Sequence, residues 1–209
     1  MNILSFLNFK NKKPKKKKGS SMMFVPYNPG KYIANIYQDL QNHINFDSDQ
    51  EIMFSNIPFG QNIERVKRIK GKAFKYEIFK YSNNQIKLLM YKNIIEDRKR
   101  ISLYYFIDDL LAVGEHIYIS PLPSEFRIFR KAASDKYKFS VPEGQNIFCI
   151  TGANEIKIFF QKSSNLKLTY LSPQATLPQF IFTEKSIENQ SKDSLNNESN
   201  FYKLIYDTL

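Results

Sequence analysis

The chain has 209 residues, of which 42% are hydrophobic, with 18 Phe, 13 Tyr and no Trp. A chain of this length can bury a core without disulfides or metals, and its aromatic content favours β-sheet over a helix bundle. The single cysteine, Cys149, excludes an internal disulfide. It lies in an apolar run, so we predict a buried small side chain there and no nucleophile.

The formal net charge of +11 is concentrated at the start of the chain. Seven of the 31 basic residues fall in the first 18 positions, which hold no acid, so 24 basic residues face 20 acidic ones in the remainder. A fold that grips phosphate over a broad face is expected to distribute its Lys and Arg throughout the domain. The basic character therefore belongs mainly to the leading segment.

We predict that residues 1–21 form a disordered polybasic tail, in which a short apolar stretch precedes a lysine run. The apolar stretch is too short for a bilayer, which needs roughly 20 residues, but it could insert shallowly. It consists of Ile3, Leu4, Phe6, Leu7 and Phe9. The lysines are Lys10, Lys12, Lys13, Lys15, Lys16, Lys17 and Lys18. Three interpretations stay open: contact with an anionic membrane surface, contact with nucleic acid or a partner protein, and a solvated leader.

Two helices are predicted from apolar periodicity. In the first, apolar residues recur at helical spacing and should pack on a sheet: Ile33, Ile36, Tyr37, Leu40 and Ile44. The second opens after Gly60, buries Ile63, Val66 and Ile69, and ends at Gly71 in the left-handed conformation. Its charges agree with the helix dipole.

The rest of the domain reads as antiparallel sheet, because β-branched and aromatic runs alternate with turn residues. Four hairpin-linked strands are predicted at 74–81, 86–95, 100–107 and 110–119. A second group is predicted at 126–129, 137–141, 147–151, 156–161 and 166–171, with an edge strand at 177–182. The predicted fold class is α+β, an antiparallel meander with two short helices packed on it.

The predicted organisation is one globular domain over residues 22–182, with a sub-boundary near 120–124. Polar composition predicts a flexible linker at 183–200, and residues 201–209 form a terminal apolar segment.

Known catalytic patterns are missing from the sequence. His43, His116 and Cys149 include no close-spaced pair for a metal, and no glycine-rich phosphate loop precedes a helix. The pair Asp108-Asp109 is explained as a two-residue turn. We therefore expect no cofactor, no metal and no evident small-molecule substrate. An unfamiliar active site would show itself as a deep pocket lined by His116, Asp108 or Cys149.

The second helix carries a secondary basic face, made of Arg65, Lys67, Arg68, Lys70 and Lys72. A short helix needs a solvated face, which is one explanation. The other is that this face shares an anionic contact with the tail. Exposed aromatic residues nearby, such as Tyr76 or Tyr81, are needed before the face indicates single-stranded nucleic acid.

The segment Ile57-Pro58-Phe59-Gly60, followed by Ile63, Val66, Ile69, Gly71 and the meander, resembles small bacterial envelope modules of the SmpA/OmlA type, which have a β-lactamase-inhibitor-like fold. The resemblance covers about residues 57–119. It implies a non-enzymatic protein-binding or assembly module, and no functional residue carries over.

Together these patterns predict a non-enzymatic binding or assembly module in the cytoplasm, peripheral at the inner face of the membrane. Its tail would contact an anionic membrane surface or a partner protein. The alternative is a nucleic-acid- or ribosome-associated basic protein.

Overall fold

A computed structural model describes Pro26 and residues 28–81, 84–95, 98–142 and 144–173. Within these residues one eight-stranded sheet has the order β1-β6-β7-β8-β5-β4-β3-β2. All neighbouring strands are antiparallel except β1 and β6, which run parallel. The strands are β1 Asn45–Asp47, β2 Lys75–Lys80, β3 Gln85–Ile95, β4 Arg98–Ile107, β5 Leu110–Tyr118, β6 Ile147–Thr151, β7 Lys157–Lys162 and β8 Leu166–Leu171.

Three helices accompany the sheet: α1 Pro29–Leu40, α2 Ile63–Lys70 and α3 Pro123–Tyr137. The side chains of Asn28 and Asn62 accept backbone hydrogen bonds from the first turns of α1 and α2. These caps satisfy amide groups that have no partner within a helix.

The helices cover both faces of the sheet. On one face, Ile33, Ile36 and Leu40 of α1 pack on a core that reaches from β3 to β6. On the other face, α2 covers Leu89, Tyr104 and Phe106, while α3 covers a separate cluster on β6, β7 and β8. Both faces are apolar because both are buried.

The predicted α+β fold with an antiparallel sheet is confirmed. The four meander strands lie within a residue or two of their predicted bounds. Asp108 and Asp109 have φ of 49° and 69°, so they form the predicted two-residue turn. The sheet continues through β5–β8 pairing, which places both predicted strand groups in one sheet.

Two predicted strands are wrong. Residues 126–129 lie in α3, a third helix that was not predicted, and residues 137–141 form its last residue and the irregular segment that follows it. Phe126, Ala133 and Tyr137 are its buried residues, spaced i, i+7 and i+11 as on one helical face. The aromatic run Phe126–Phe129 favours a strand locally, but burial of this helical stripe against the sheet outweighs that preference.

Smaller corrections concern the ends of the predicted helices. Ile44 lies beyond α1 and is 48% exposed, and Ile69 is 54% exposed on α2. Gly71 ends α2 with the predicted positive φ, 78°, but its ψ of −157° is not that of a left-handed helix. The predicted tail, the edge strand at 177–182, the linker and the terminal apolar segment lie outside the described residues.

Candidate functional site

The five residues of the predicted basic face do not point in one direction. Successive helical residues are rotated by about 100°, so Arg65 and Lys67 lie on opposite flanks of α2. Arg68 lies on the outer side of the helix, and Lys72 follows its end. Lys70 turns inward, and its ammonium donates to the backbone oxygen of Ser55 at 3.3 Å. Burial and the neighbouring Arg100 lower the pKa of Lys70.

The flank of α2 that carries Lys67 meets the edge strand β2. Burial alternates along β2, so Tyr76, Ile78 and Lys80 share the exposed face of the strand. Phe74 precedes the strand, and its backbone N–H donates at 2.8 Å to the carbonyl oxygen of Met90, the residue that pairs with Lys75. Phe74 is 56% exposed, and Tyr76 and Ile78 are each 45% exposed. The exposed aromatic residue that the sequence interpretation required is therefore present at Tyr76.

Both exposed rings carry a lysine ammonium over their π-face. The ammonium of Lys92 lies 3.7 Å from the ring centroid of Phe74, and that of Lys67 lies 5.1 Å from the ring centroid of Tyr76. Such cation–π contacts contribute about 0.5–1 kcal/mol at exposed sites. They also establish that a polar group can reach the faces of these rings. We name Lys67, Phe74, Tyr76, Ile78 and Lys92 the β2 surface.

The other predicted aromatic candidate, Tyr81, is not part of this surface. Its hydroxyl accepts from the backbone N–H of Gly30 at 3.0 Å and contacts Asn28 Oδ1 at 3.1 Å. Tyr81 therefore holds the start of α1 against the end of β2.

Positive charge is concentrated in the segment that builds the β2 surface. Residues 65–92 contain nine basic residues and one acid, Glu77. This local excess is larger than the excess of four over the whole chain after its first 18 residues, so the other segments are acidic on balance. The net charge of the whole domain does not show this asymmetry, whereas the net charge of successive short windows along the sequence does. Phe74 and Lys92, which were not among the predicted site residues, belong to the same segment.

The predicted tail residues cannot be added to this surface from the structure. The apolar residues Ile3, Leu4, Phe6, Leu7 and Phe9 lie outside the described residues, as do the tail lysines from Lys10 to Lys18. The interpretations offered for them stay predictions.

His116 is buried in a hydrogen-bonded chain of side chains. Its Nε2 lies 3.2 Å from Ser55 Oγ and its Nδ1 lies 3.0 Å from Ser102 Oγ. Burial, assisted by the positive charges of Arg100 and Lys70, lowers the pKa of His116 to about 3. The imidazole is therefore neutral at physiological pH, with one nitrogen as donor and the other as acceptor.

Cys149 is 1% exposed, which confirms the predicted buried side chain, and burial raises the pKa of its thiol to about 11. His116, Asp108 and Cys149 line neither of two cavities in the structure, of about 460 and 320 Å³. Among the described residues no group of three or more His, Cys, Asp or Glu is arranged to hold a metal ion.

A buried carboxylate on the α1 side of the sheet was not predicted. Glu115 is 1% exposed, yet it lies in the middle of β5. Its oxygens accept from Thr169 Oγ1 at 3.0 Å, from the hydroxyl of Tyr105 at 3.3 Å and from the hydroxyl of Tyr32. Burial, with Glu115 nearby, raises the pKa of both tyrosines, so they stay protonated donors. The sequence signal was a single acid within the apolar run 110–119.

Comparisons with known proteins assign no family to this chain. No family model matches the chain, and neither a curated protein nor a solved structure matches it. The resemblance to SmpA/OmlA-type modules stays a prediction. Among the described residues, no helix is both long enough and apolar enough to cross a membrane.

Proposed function

We propose that this protein is a non-enzymatic binding module whose β2 surface holds single-stranded nucleic acid. The observation that carries the proposal is the pair of exposed rings, Phe74 and Tyr76, each with a lysine ammonium at its π-face. Proteins that bind single strands without sequence preference combine aromatic platforms for bases with cations for phosphates.

The two rings are close in the chain, with Phe74 just before β2 and Tyr76 within it. Each ring offers a face on which one base can stack, while Lys67 and Lys92 move from the rings to the phosphates. The excess of basic residues at 65–92 supplies the long-range attraction.

A membrane-facing role for the same region has weaker support in the structure. Interfacial binding requires apolar side chains that extend past the surrounding charges. On the β2 surface, lysine ammoniums lie over both aromatic rings, and Ile78 is the one aliphatic member. If the tail contacts the cytoplasmic face of an anionic membrane, we propose that it does so separately from the β2 surface.

The decisive experiment measures binding of the full chain to labelled oligo(dT) and oligo(U) by fluorescence anisotropy. Stacking contributes about 1–3 kcal/mol per base, so the double variant Phe74→Ala/Tyr76→Ala should bind at least about 30-fold more weakly. The single variant Tyr76→Phe keeps the ring and should bind like the parent chain. Leu122→Ala removes an exposed apolar side chain at the start of α3 and is the matched control.

A second variant separates the domain from the tail. This variant keeps all 209 residues and replaces the seven tail lysines with glutamine. We expect it to show a shallower salt dependence but to keep its sensitivity to Phe74→Ala/Tyr76→Ala. Equal binding by parent chain and double variant in both backgrounds would overturn the proposal. Tail-dependent binding to phosphatidylglycerol vesicles, with no binding to either oligonucleotide, would replace it with the membrane hypothesis.

A further inference from the structure

Two cations lie on the sheet face that α2 and α3 cover, in the gap between these helices. Residues two apart on a strand share a side, so Arg100 of β4 points to the same face as Ser102, which contacts His116 there. Arg100 is paired with Tyr118, which packs against the cluster covered by α3. The second cation, Lys70, is the last residue of α2.

His116 is the common neighbour of the two cations. The ammonium of Lys70 is 3.3 Å from the backbone oxygen of Ser55, and Ser55 Oγ is 3.2 Å from His116 Nε2. In the register of β4 and β5, Ser102 lies opposite His116, so Arg100 is the diagonal neighbour of His116 on this face. Burial lowers the pKa of His116 and of Lys70, and the nearby cations lower both further.

Neither cation is neutralised by a carboxylate. Among the described residues, the ion pairs include neither Arg100 nor Lys70. The Nε of Arg100 is buried without a hydrogen-bond partner in this part of the chain, whereas its two Nη atoms are not buried. Both side chains are partly exposed. A solute can therefore reach the Nη donors of Arg100 and the N–H groups of Lys70 that do not donate to Ser55.

Two neighbouring cations without a counter-charge favour an anion that carries two negative charges. The parallel N–H donors of a guanidinium match the oxygens of a phosphate, and an ammonium adds a compact second charge. We propose that Arg100 and Lys70 together bind one phosphate group. Its source is either inorganic phosphate or the terminal phosphate of a nucleic-acid strand, which present the same dianion. The site shares no residue with the β2 surface.

Titration of the full chain with inorganic phosphate, followed by NMR at constant ionic strength, tests this proposal. The backbone amide signals of Lys70 and Ser102 should shift saturably. Acetate carries one charge and should bind at least about tenfold more weakly, by the loss of one charged contact. No saturable shift with phosphate would overturn the proposal, and so would equal affinity for acetate and phosphate.

Charge-removing variants assign the binding to the two cations. Arg100→Gln and Lys70→Gln should each weaken phosphate binding at least about tenfold. Lys99→Gln is the matched control, because Lys99 precedes Arg100 on β4 and its side chain points to the other face. It should bind phosphate like the parent chain. Unchanged affinity in Arg100→Gln would contradict the assignment.

Thermal unfolding separates a binding role of Arg100 from a structural one. Without phosphate, Arg100→Gln should melt no lower than the parent, because it removes an unpaired guanidinium from beside Lys70. Added phosphate should raise the melting temperature of the parent more than that of the variant. A lower melting temperature in Arg100→Gln with unchanged phosphate affinity would show a structural role and overturn the proposal.

Oligo(dT) with a 5′-phosphate, a 3′-phosphate or neither distinguishes the two sources, and this comparison alone rests on the proposed function. If the source is a strand end, one phosphorylated form should bind at least about threefold more tightly, and Arg100→Gln should remove the gain. Equal binding of all three, with saturable binding of inorganic phosphate, assigns the site to the free ion. Phe74→Ala/Tyr76→Ala should keep its affinity for inorganic phosphate, so failure of the β2 surface leaves this site intact.

Discussion

Gly114→Ala should destabilise the fold by about 3 kcal/mol or more, because a ring occupies the space that the new methyl needs. A Cβ at Gly114 would lie 2.3 Å from two ring atoms of Phe54. Phe54 has no exposed surface, and its ring centroid is 4.7 Å from that of Tyr104 and 4.5 Å from that of His116. The ring therefore has little room to retreat.

A double-mutant cycle measured by urea unfolding tests this contact. Phe54→Ala alone should cost about 3–5 kcal/mol through loss of a buried ring. In the Phe54→Ala background the methyl of Gly114→Ala fills empty space, so its penalty should fall to near zero or reverse sign. Additive penalties would show that the ring does not cover Gly114.

Acid should destabilise the protein through His116. The folded state holds the pKa of His116 at about 3, below its ordinary value of 6.5, because burial and nearby cations disfavour the imidazolium. The unfolded chain takes up a proton first as the pH falls. Stability is therefore fully present above the ordinary pKa and is lost as the pH drops toward the folded value.

The expected loss from this one group is about 3 kcal/mol of unfolding free energy between about pH 7 and about pH 4. Because carboxylates also titrate in this range, the measured quantity is the difference in pH dependence between the parent chain and His116→Gln. The variant should lose correspondingly less stability on acidification. His43→Gln is the matched control and should follow the parent. Identical profiles for the parent and His116→Gln would contradict the burial of a neutral imidazole.

The contact between Phe54 and Gly114 could not be predicted from the sequence. Phe54 belongs to the segment 51–59, which reads as a short apolar stretch with no periodicity. Its position over Gly114, 60 residues away, depends on how that segment folds back across β5. A lone glycine in a strand signals close approach of another group, but the sequence does not say which group.

The candidate sites likewise combine residues that the sequence indicates with contacts that only the fold produces. Lys67 was predicted as a site residue, and Tyr76 was identified as an aromatic residue that would strengthen the nucleic-acid interpretation. Their contact depends on α2 lying beside the edge strand. The separation of Arg65 from Lys67 follows from helical geometry alone. Lys70 and Arg100 come from α2 and β4, and they meet only where that helix packs on the sheet. Nothing local in the sequence links them.

By itself the sequence determined the meander, α1, the turn at Asp108 and Asp109, and the placement of basic residues along the chain. These depend on alternation, helical spacing, turn chemistry and charge, which act over a few residues. The tertiary structure decided that residues 126–137 are helical, which polar groups are buried, and which aromatic rings stay exposed on β2. Those outcomes depend on contacts between residues far apart in the chain, where burial against the sheet outweighs local preference.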